Sequence, residues 1–523
     1  MNQISTKENS RKSFERKPYG RKTMDRPQLD RTKEAKSTII SLEDGDYFMG
    51  DCKILRKAKP GPTIFVVSDG YGSIDAVTKD SPYEVDDIVL VQGPVSERAG
   101  RLQIEIEIMH KSDADFSSII SEKSKPVRTH FSISSQRFDK MKEKFVKIAQ
   151  RIRRAILESQ PIMIRHHADA DGIISGMCIE HACRAFMEKI GANPDHNLYR
   201  SPSKAPFYDT GDVLRDIGLV KRLEDFGQKK PIVLVLDNGS TPEDVFGMKA
   251  LKMLGIEIIV VDHHNPVVLK DGLTAVCPYV ALHLNPYMYG MDGQTCAGML
   301  CYELGRMIWE EFDKPMMPAV AAISDRCTIP ETDAYITNSG KDRETLGKMG
   351  VAIDFLAYHF RFDPGKGVFE EVFQKPELVG MINDQVRKGV ETQLQSTLPY
   401  LRTQEIDGVI VSWIDLEKYT LRFTYPTAGK VIGLIHDQVA LGKENTPVIS
   451  LGCVSDMIII RATKPILPVH KIIENLRKAM PEANVDGGGH ECAGTIKFVS
   501  AHMGAVLDNI REQIRQLKYM EKE

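Results

Sequence analysis

The chain has 523 residues, 42% of them hydrophobic and 27% charged. That length and balance mark a folded protein of more than one domain and exclude a disordered one. No run of eighteen apolar residues occurs, which excludes a helical membrane span, and MNQISTKENSRKSFERK lacks an apolar stretch, so no secretory signal is expected.

Nine cysteines without a C-x-x-C pair point to a reduced, cytoplasmic protein with neither a disulfide framework nor a cysteine zinc site. Cys178/Cys183 and Cys296/Cys301 sit in apolar helix-like stretches and read as core. The net charge of −3 conceals a split: residues 1–36 carry eleven Lys/Arg against five Asp/Glu, and the remainder carries 58 against 67. A basic arm on an acidic body suits a polyanion partner, since clustered cations bind phosphate chains by releasing counterions; a solubilising tail is the plainer reading. With few apolar residues, 1–38 is expected to be a disordered tail.

Residues 39–113 read as a small all-β domain. Phe48–Ile54, Thr63–Ser68, Ile74–Val77, Ile88–Gly93 and Leu102–Ile108 are strand-like runs between Gly, Pro and Asp turns. Five short strands in about seventy residues predict a barrel of the OB type, a fold that often holds single-stranded nucleic acid. Tyr47, Phe48, Phe65 and Tyr71 are candidates to stack bases, although so small a barrel needs some of them for its core. Residues 114–159 contain a basic linking helix over 135–158.

From 160 to 340 the pattern becomes α/β. Apolar runs Ile162–Ile164, Ile232–Leu236, Ile256–Val261 and Val320–Ile323 alternate with helical stretches at 172–190 and 295–312, predicting a mostly parallel sheet covered on both faces. Residues 341–400 read as a helical connector. Residues 401–523 form a second α/β unit, with predicted strands at Val409–Ile414, Leu421–Thr424, Val448–Cys453 and Met457–Arg461. A helix from His470, a loop DGGGHECAG and a final helix Met503–Leu517 complete it.

The chemistry concentrates at predicted strand ends. The first α/β strand leads into His167, Asp169 and Asp171, the second into Asp237, the third into Asp262-His263-His264 and the fourth into Asp325. Carboxyl ends of parallel strands share one edge, where ligands bind, and neighbouring strands lie only about 4.8 Å apart. Either cluster alone also fits a turn or a capped helix start; four in order at strand ends do not fit that reading. So many carboxylates repel unless cations intervene. Carboxylate and imidazole without thiolate suit Mn²⁺ best, with Mg²⁺ or other divalent ions as substitutes. Two such ions bridged by a carboxylate make hydrolysis of a phosphate ester the natural reaction.

HHADADG, VLDNGS, VDHH and ISDRC, followed by GGGH, resemble the four motifs of the DHH phosphoesterases and the glycine-histidine motif of their associated C-terminal domain, over roughly residues 160–500. With the barrel in front, the chain most resembles archaeal RecJ-like single-strand exonucleases, in the branch of the GINS-associated nuclease and the replication-helicase accessory subunit. The resemblance implies a DHH catalytic domain at 160–340 and a DHH-associated substrate-binding domain at 401–523. It implies metal coordination by His167, Asp169, Asp171, Asp237, His263 and Asp325, with Asp237 bridging two Mn²⁺ ions that Mg²⁺ or Co²⁺ could replace. Asp262 would orient His263, and His264 would face the scissile phosphate. Bacterial RecJ has an aspartate where His167 stands, so that ligand departs from the bacterial pattern. Arg461, Gly487, Gly488, Gly489 and His490 would clamp substrate phosphate. The implied activity is exonucleolytic hydrolysis of single-stranded DNA or RNA in replication, repair or RNA turnover, with replication proteins such as GINS as partners and no membrane. A phosphodiesterase of cyclic dinucleotides or very short oligonucleotides, and a non-catalytic replisome scaffold, are the alternatives.

Overall fold

In the N-terminal unit, apolar and polar residues alternate along each strand, so one face of each strand turns inward. Strands β1 (Tyr47–Ala58), β2 (Thr63–Ser68), β3 (Ser73–Thr78), β4 (Ile88–Arg98) and β5 (Arg101–Glu105) pair in the order β1-β2-β3-β5-β4, and β4 closes back on β1. All these pairs are antiparallel except β3–β5, and β6 (Ile108–Lys111) continues along β4. This closed five-stranded barrel is OB-like, as expected. Phe48, Phe65, Val67, Val89 and Ile104 fill it and are fully buried, so two of the four aromatic candidates belong to the core. Tyr47 donates its hydroxyl to Glu107 at 3.1 Å. Tyr71 stays exposed, with the Lys123 ammonium 4.4 Å from its ring centre.

The computed structural model describes residues 35–520 except Pro60, Lys204, Pro206, Lys270, Asp271, Phe362, Arg422 and Phe423; most of the basic tail therefore lies outside the described residues. Helices α1 (Phe116–Lys123) and α2 (Gln136–Leu157) follow the barrel. Ser135 caps α2, its hydroxyl accepting the amides of Arg137 and Phe138 at 3.1 and 3.3 Å. Phe138, Met141, Phe145, Ile148, Ile152 and Ile156 recur every three or four residues and are all buried. Burying each such side chain contributes roughly 1.5–3 kcal/mol, which fixes this helix against the next unit.

That unit is built on β7 (Ile162–His167), α3 (Ala170–Lys189), α4 (Pro194–Asn197), β8 (Leu198–Ser203), α5 (Thr210–Asp225), β9 (Ile232–Leu236), α6 (Val245–Met253), β10 (Glu257–Val261) and β11 (Leu282–Leu284). The sheet is wholly parallel in the order β11-β10-β9-β7-β8. Every residue of β9 is buried, as a strand covered on both faces requires. Helices α7 (Ala297–Ile308), α8 (Met316–Ser324), α9 (Pro330–Ser339), α10 (Arg343–Phe360), α11 (Val368–Gln374) and α12 (Pro376–Thr397) complete the unit and the connector.

The strand expected at Val320–Ile323 is instead the last turn of α8. A buried run of four apolar residues carries no periodicity, so strand and buried helix look alike in sequence; the two alanines inside the run favour the helix.

The C-terminal unit comprises β12 (Arg402–Ile406), β13 (Val409–Asp415), α13 (Leu416–Tyr419), α14 (Ala428–Ala440), β14 (Val448–Val454), β15 (Met457–Ala462), α15 (Val469–Ala479), β16 (Asp486–His490), β17 (Ala493–Lys497) and α16 (Met503–Met520). Its sheet runs β12-β13-β14-β15-β17-β16, with only β13–β14 parallel. No strand forms at Leu421 or Thr424, and the two residues between them lie outside the described set. The predicted glycine loop is a hairpin, β16 against β17. Gly487 and Gly489 have φ of 148° and 138°, and a side chain at either would run into the backbone oxygen of Thr495 or Ala493, so the narrow pairing depends on glycine. Among the described residues, no helix is long and apolar enough to cross a membrane.

Candidate metal centre

Strand β7 ends at His167, and two residues later Asp169 caps α3 by accepting the amide of Gly172 at 3.0 Å. Asp171, in the first turn of α3, is buried; its two oxygens accept the amides of Gly298 and Ala297 at 2.8 and 2.9 Å, at the start of α7. Asp237 follows β9 with φ of 55°, an unusual backbone for a residue with a side chain. It is 1% exposed. Its oxygens lie 3.6 Å from His167 Nδ1 and 3.2 Å from His263 Nε2, yet no described N–H or O–H is aligned to donate to either.

Asp262, His263 and His264 follow β10 and are all buried. Asp262 was expected to orient His263. Its carboxylate does accept the His263 amide at 2.8 Å, but the ring it faces is that of His264, with Nδ1 at 2.8 Å. The His263 ring donates Nδ1–H to the Gly293 carbonyl at 2.7 Å. That bond orients the ring and turns Nε2 toward Asp237, as second partners of ligating imidazoles do. Asp325 follows α8 rather than a strand, with its carboxylate 3.7 Å from His263 Nδ1.

Charge in the site is tightly coupled. Burial opposes protonation of His167, but Asp169 and Asp237 together raise its pKa. Burial likewise opposes protonation of His263, and Asp325 and Asp237 overcome it. Burial pushes the carboxyls of Asp171 and Asp325 up, each with further acidic neighbours. Asp262 is held low against its burial by His264 and His263.

Two sets of ligand atoms each lie within 4.8 Å of one another: Asp237 with His263 and His264, and His167 with Asp169 and Asp237. They share Asp237, whose buried oxygens have no aligned hydrogen-bond donor among the described residues. An anion enclosed that way calls for cations, and the nitrogen and oxygen donors fit a pair of divalent ions. Four of the residues singled out in the sequence thus meet around Asp237, and Asp171 and Asp325 border the cluster, each 3.7 Å from a His263 ring nitrogen.

The chain matches the family model "DHH family, N-terminal domain" over residues 161–323. It is 35% identical over 517 residues to an uncharacterized protein of Methanocaldococcus jannaschii, an alignment covering 88% of this chain and 68% of that one. The chain belongs to the DHH family. Among solved structures, a DHH domain described as belonging to a family of ribosomal proteins superposes with a TM-score of 0.73 at 33% identity, covering 76% of this chain and 97% of that one. RecJ in complex with Mn²⁺ from Thermus thermophilus superposes at 0.47 and 17% identity, covering 71% and 54%.

The C-terminal unit faces the DHH motifs. Arg461, on β15, has its pKa lowered by burial and by Arg326, the residue after Asp325. Space for a side chain on Gly488 opens toward Glu243, which follows the VLDNGS motif, at 3.9 Å. The His490 side chain lies outside the described residues. Helix α14 reaches the connector through Lys430, which pairs with Asp354 of α10, and the DHH unit through Asp437, which receives both arms of Arg326 at 3.2 and 3.0 Å.

Several supporting residues were not singled out by the sequence. Asn285 donates to the His264 carbonyl at 2.9 Å and to Ser240 at 3.0 Å, and Ser240 meets His283 at 2.8 Å. Only the Asn285-Pro286 turn hinted at the first of these.

Proposed function

We propose that the chain is a metal-dependent phosphodiester hydrolase that trims single-stranded nucleic acid from one end. The observation that carries this reading is the Asp237 carboxylate, buried with no aligned donor among the described residues and shared by two imidazole–carboxylate sets. His167 and Asp169 would hold one divalent cation, His263 and His264 the other, and Asp237 both; Asp171 and Asp325 are close enough to His263 to complete the set. Mn²⁺ is the ion we favour, with Mg²⁺ or Co²⁺ as substitutes. The chemistry such a pair supplies is activation of water and neutralisation of charge on phosphoryl oxygens.

The protein's own groups would do the rest. Asp262 holds the His264 ring by Nδ1, and Nε2 would coordinate or face the scissile phosphate. Arg461, the glycine hairpin of 487–489 and His490 would receive the neighbouring phosphate from the opposite unit. The OB-like barrel over 39–113 and the basic tail supply further strand contacts in this reading, which places the protein in the cytoplasm, with replication proteins such as GINS as candidate partners.

The test is digestion of DNA and RNA single strands, labelled at either end, with Mn²⁺. Release of mononucleotides from one labelled end, lost in Asp237→Ala, supports the proposal. Cleavage confined to dinucleotides favours the short-oligonucleotide alternative, and strand binding without cleavage under Mn²⁺, Mg²⁺ or Co²⁺ favours the scaffold.

A further inference from the structure

Helix α2 joins the barrel to the DHH unit, and no motif claims it. Its N-terminal half borders a recess of about 590 Å³ whose walls include Arg137 and Lys140 from α2, Tyr287 and Asp292 from the loop after β11, and Glu491 from the glycine hairpin. The recess therefore lies where three elements around the metal centre converge. It is one residue from the centre: Asp292 precedes Gly293, whose carbonyl holds the His263 ring. A side chain on Gly293 would come within 2.9 Å of the His263 carbonyl and 3.6 Å of the Tyr287 hydroxyl.

The charges on α2 divide by position. In its C-terminal half, Lys147, Arg151 and Arg154 are each satisfied by a carboxylate, Glu143, Glu257 and Glu158. In its N-terminal half, Arg137 is clamped by both oxygens of Asp292 at 2.7 and 3.2 Å. Lys140, Lys142 and Lys144 form no ion pair among the described residues, and of these Lys140 lines the recess. Positions 137, 140 and 144 share one helix face, and Lys140 and Lys144 stand about one turn, roughly 5.4 Å, apart. That face follows β11, because Lys144 is near enough to depress the His283 pKa. Lys142 points to a different face of the helix.

We infer that the Lys140–Lys144 face of α2, with the recess beside it, is the track along which the phosphates of a single strand run past the metal centre. The inference rests on the proposed nuclease reading and deepens it. The lysines would meet successive phosphates, and the half-buried Tyr287 ring would pack against a base. Asp292 and Glu491 leave the recess itself without net charge, so the attraction comes from the lysine face and is electrostatic and independent of sequence. Such contacts release counterions, and for single strands each changes the slope of log K against log salt by about 0.7.

The test measures binding of a labelled twenty-nucleotide strand in EDTA between 50 and 200 mM salt, with cleavage measured separately in Mn²⁺. For Lys140→Ala/Lys144→Ala the salt slope should become shallower by about 1.4. KM for the long strand should rise while turnover of a dinucleotide stays at the parent value. Lys142→Ala should leave the slope unchanged, and Lys140→Arg/Lys144→Arg should restore it. A double alanine variant that keeps the parent slope while the parent cuts strands overturns this inference and leaves the nuclease reading standing. A slope equally reduced in Lys142→Ala also overturns it, because diffuse charge would then suffice. If the parent neither binds nor cuts strands, the nuclease reading itself falls.

Discussion

Lys430 of the C-terminal unit pairs with Asp354 of α10, and the other oxygen of Asp354 accepts the amide of Ala170 at 2.9 Å. Ala170 adjoins Asp169, so one carboxylate couples the position of α14 to the first turn of the helix that carries two candidate ligands. The pair is partly exposed, with the lysine side chain at 41%, and ion pairs of that kind contribute no more than about 1 kcal/mol to stability. Asp354→Ala should therefore cost about 1–3 kcal/mol, chiefly through the Ala170 amide left without its acceptor, and lower metal affinity or kcat roughly ten- to a hundredfold, the range for residues that orient ligands. Parallel unfolding scans and Mn²⁺ titrations check this; a loss of Mn²⁺ affinity no larger than the loss of stability accounts for would show a structural role only.

Asp237 offers a test that needs no substrate. Its carboxylate is enclosed with no aligned donor among the described residues, and its φ of 55° favours Asn among replacements. Asp237→Asn should stabilise the metal-free protein by about 1 kcal/mol, since a buried charge is removed. The same change should abolish stabilisation by Mn²⁺, which at a hundredfold excess over Kd would be about 2.7 kcal/mol in the parent. Differential scanning calorimetry with and without Mn²⁺ reads both effects. A retained Mn²⁺ shift would remove Asp237 from the ligand set.

The parallel sheet and the β9 and β10 ends of the site were legible because β9 is continuously apolar and stops at Asp237, and β10 stops at Asp262. Asp325 was found for a partly mistaken reason: a buried helix, not a strand, delivers it. Phe48 and Phe65 could not be told from base-stacking rings, because burial inside a closed barrel is a property of its closure rather than of local pattern. Gly293 was invisible for a similar reason. It acts through its carbonyl, and any residue has one; only the approach of the His263 backbone selects glycine there. Asp354 and Lys430 meet across 76 residues of sequence, a distance at which no spacing rule operates.

His283 makes stability depend on pH. Burial lowers its pKa to about 4, and the neutral ring is held against Ser240. The unfolded chain takes up this proton near pH 6.5 and the folded one only near 4, so the group destabilises the fold progressively as pH falls through that window. The full effect is up to about 3 kcal/mol at pH 4 and absent above pH 7. His283→Gln, which keeps an amide for Ser240 and cannot titrate, should show a smaller loss of stability between pH 7 and 4.5 in urea unfolding. An identical loss in both proteins would mean that the acid sensitivity lies elsewhere.

The glycine hairpin separates fold from binding. Gly487 and Gly489 occupy positive φ and press on the facing strand, whereas Gly488 has ordinary φ and room beside it, the nearest atom being Glu243 Oε2 at 3.9 Å. Gly489→Ala should destabilise the C-terminal unit by more than about 1 kcal/mol, since both the backbone angle and the Ala493 carbonyl resist the methyl group. Gly488→Ala should fold with parent stability, because its methyl group enters open space between the two units. If phosphate passes there, that methyl group should raise KM for strands several-fold without changing the unfolding midpoint. Unchanged KM in a fully folded Gly488→Ala protein would place the substrate elsewhere in the cleft and leave the hairpin a structural element.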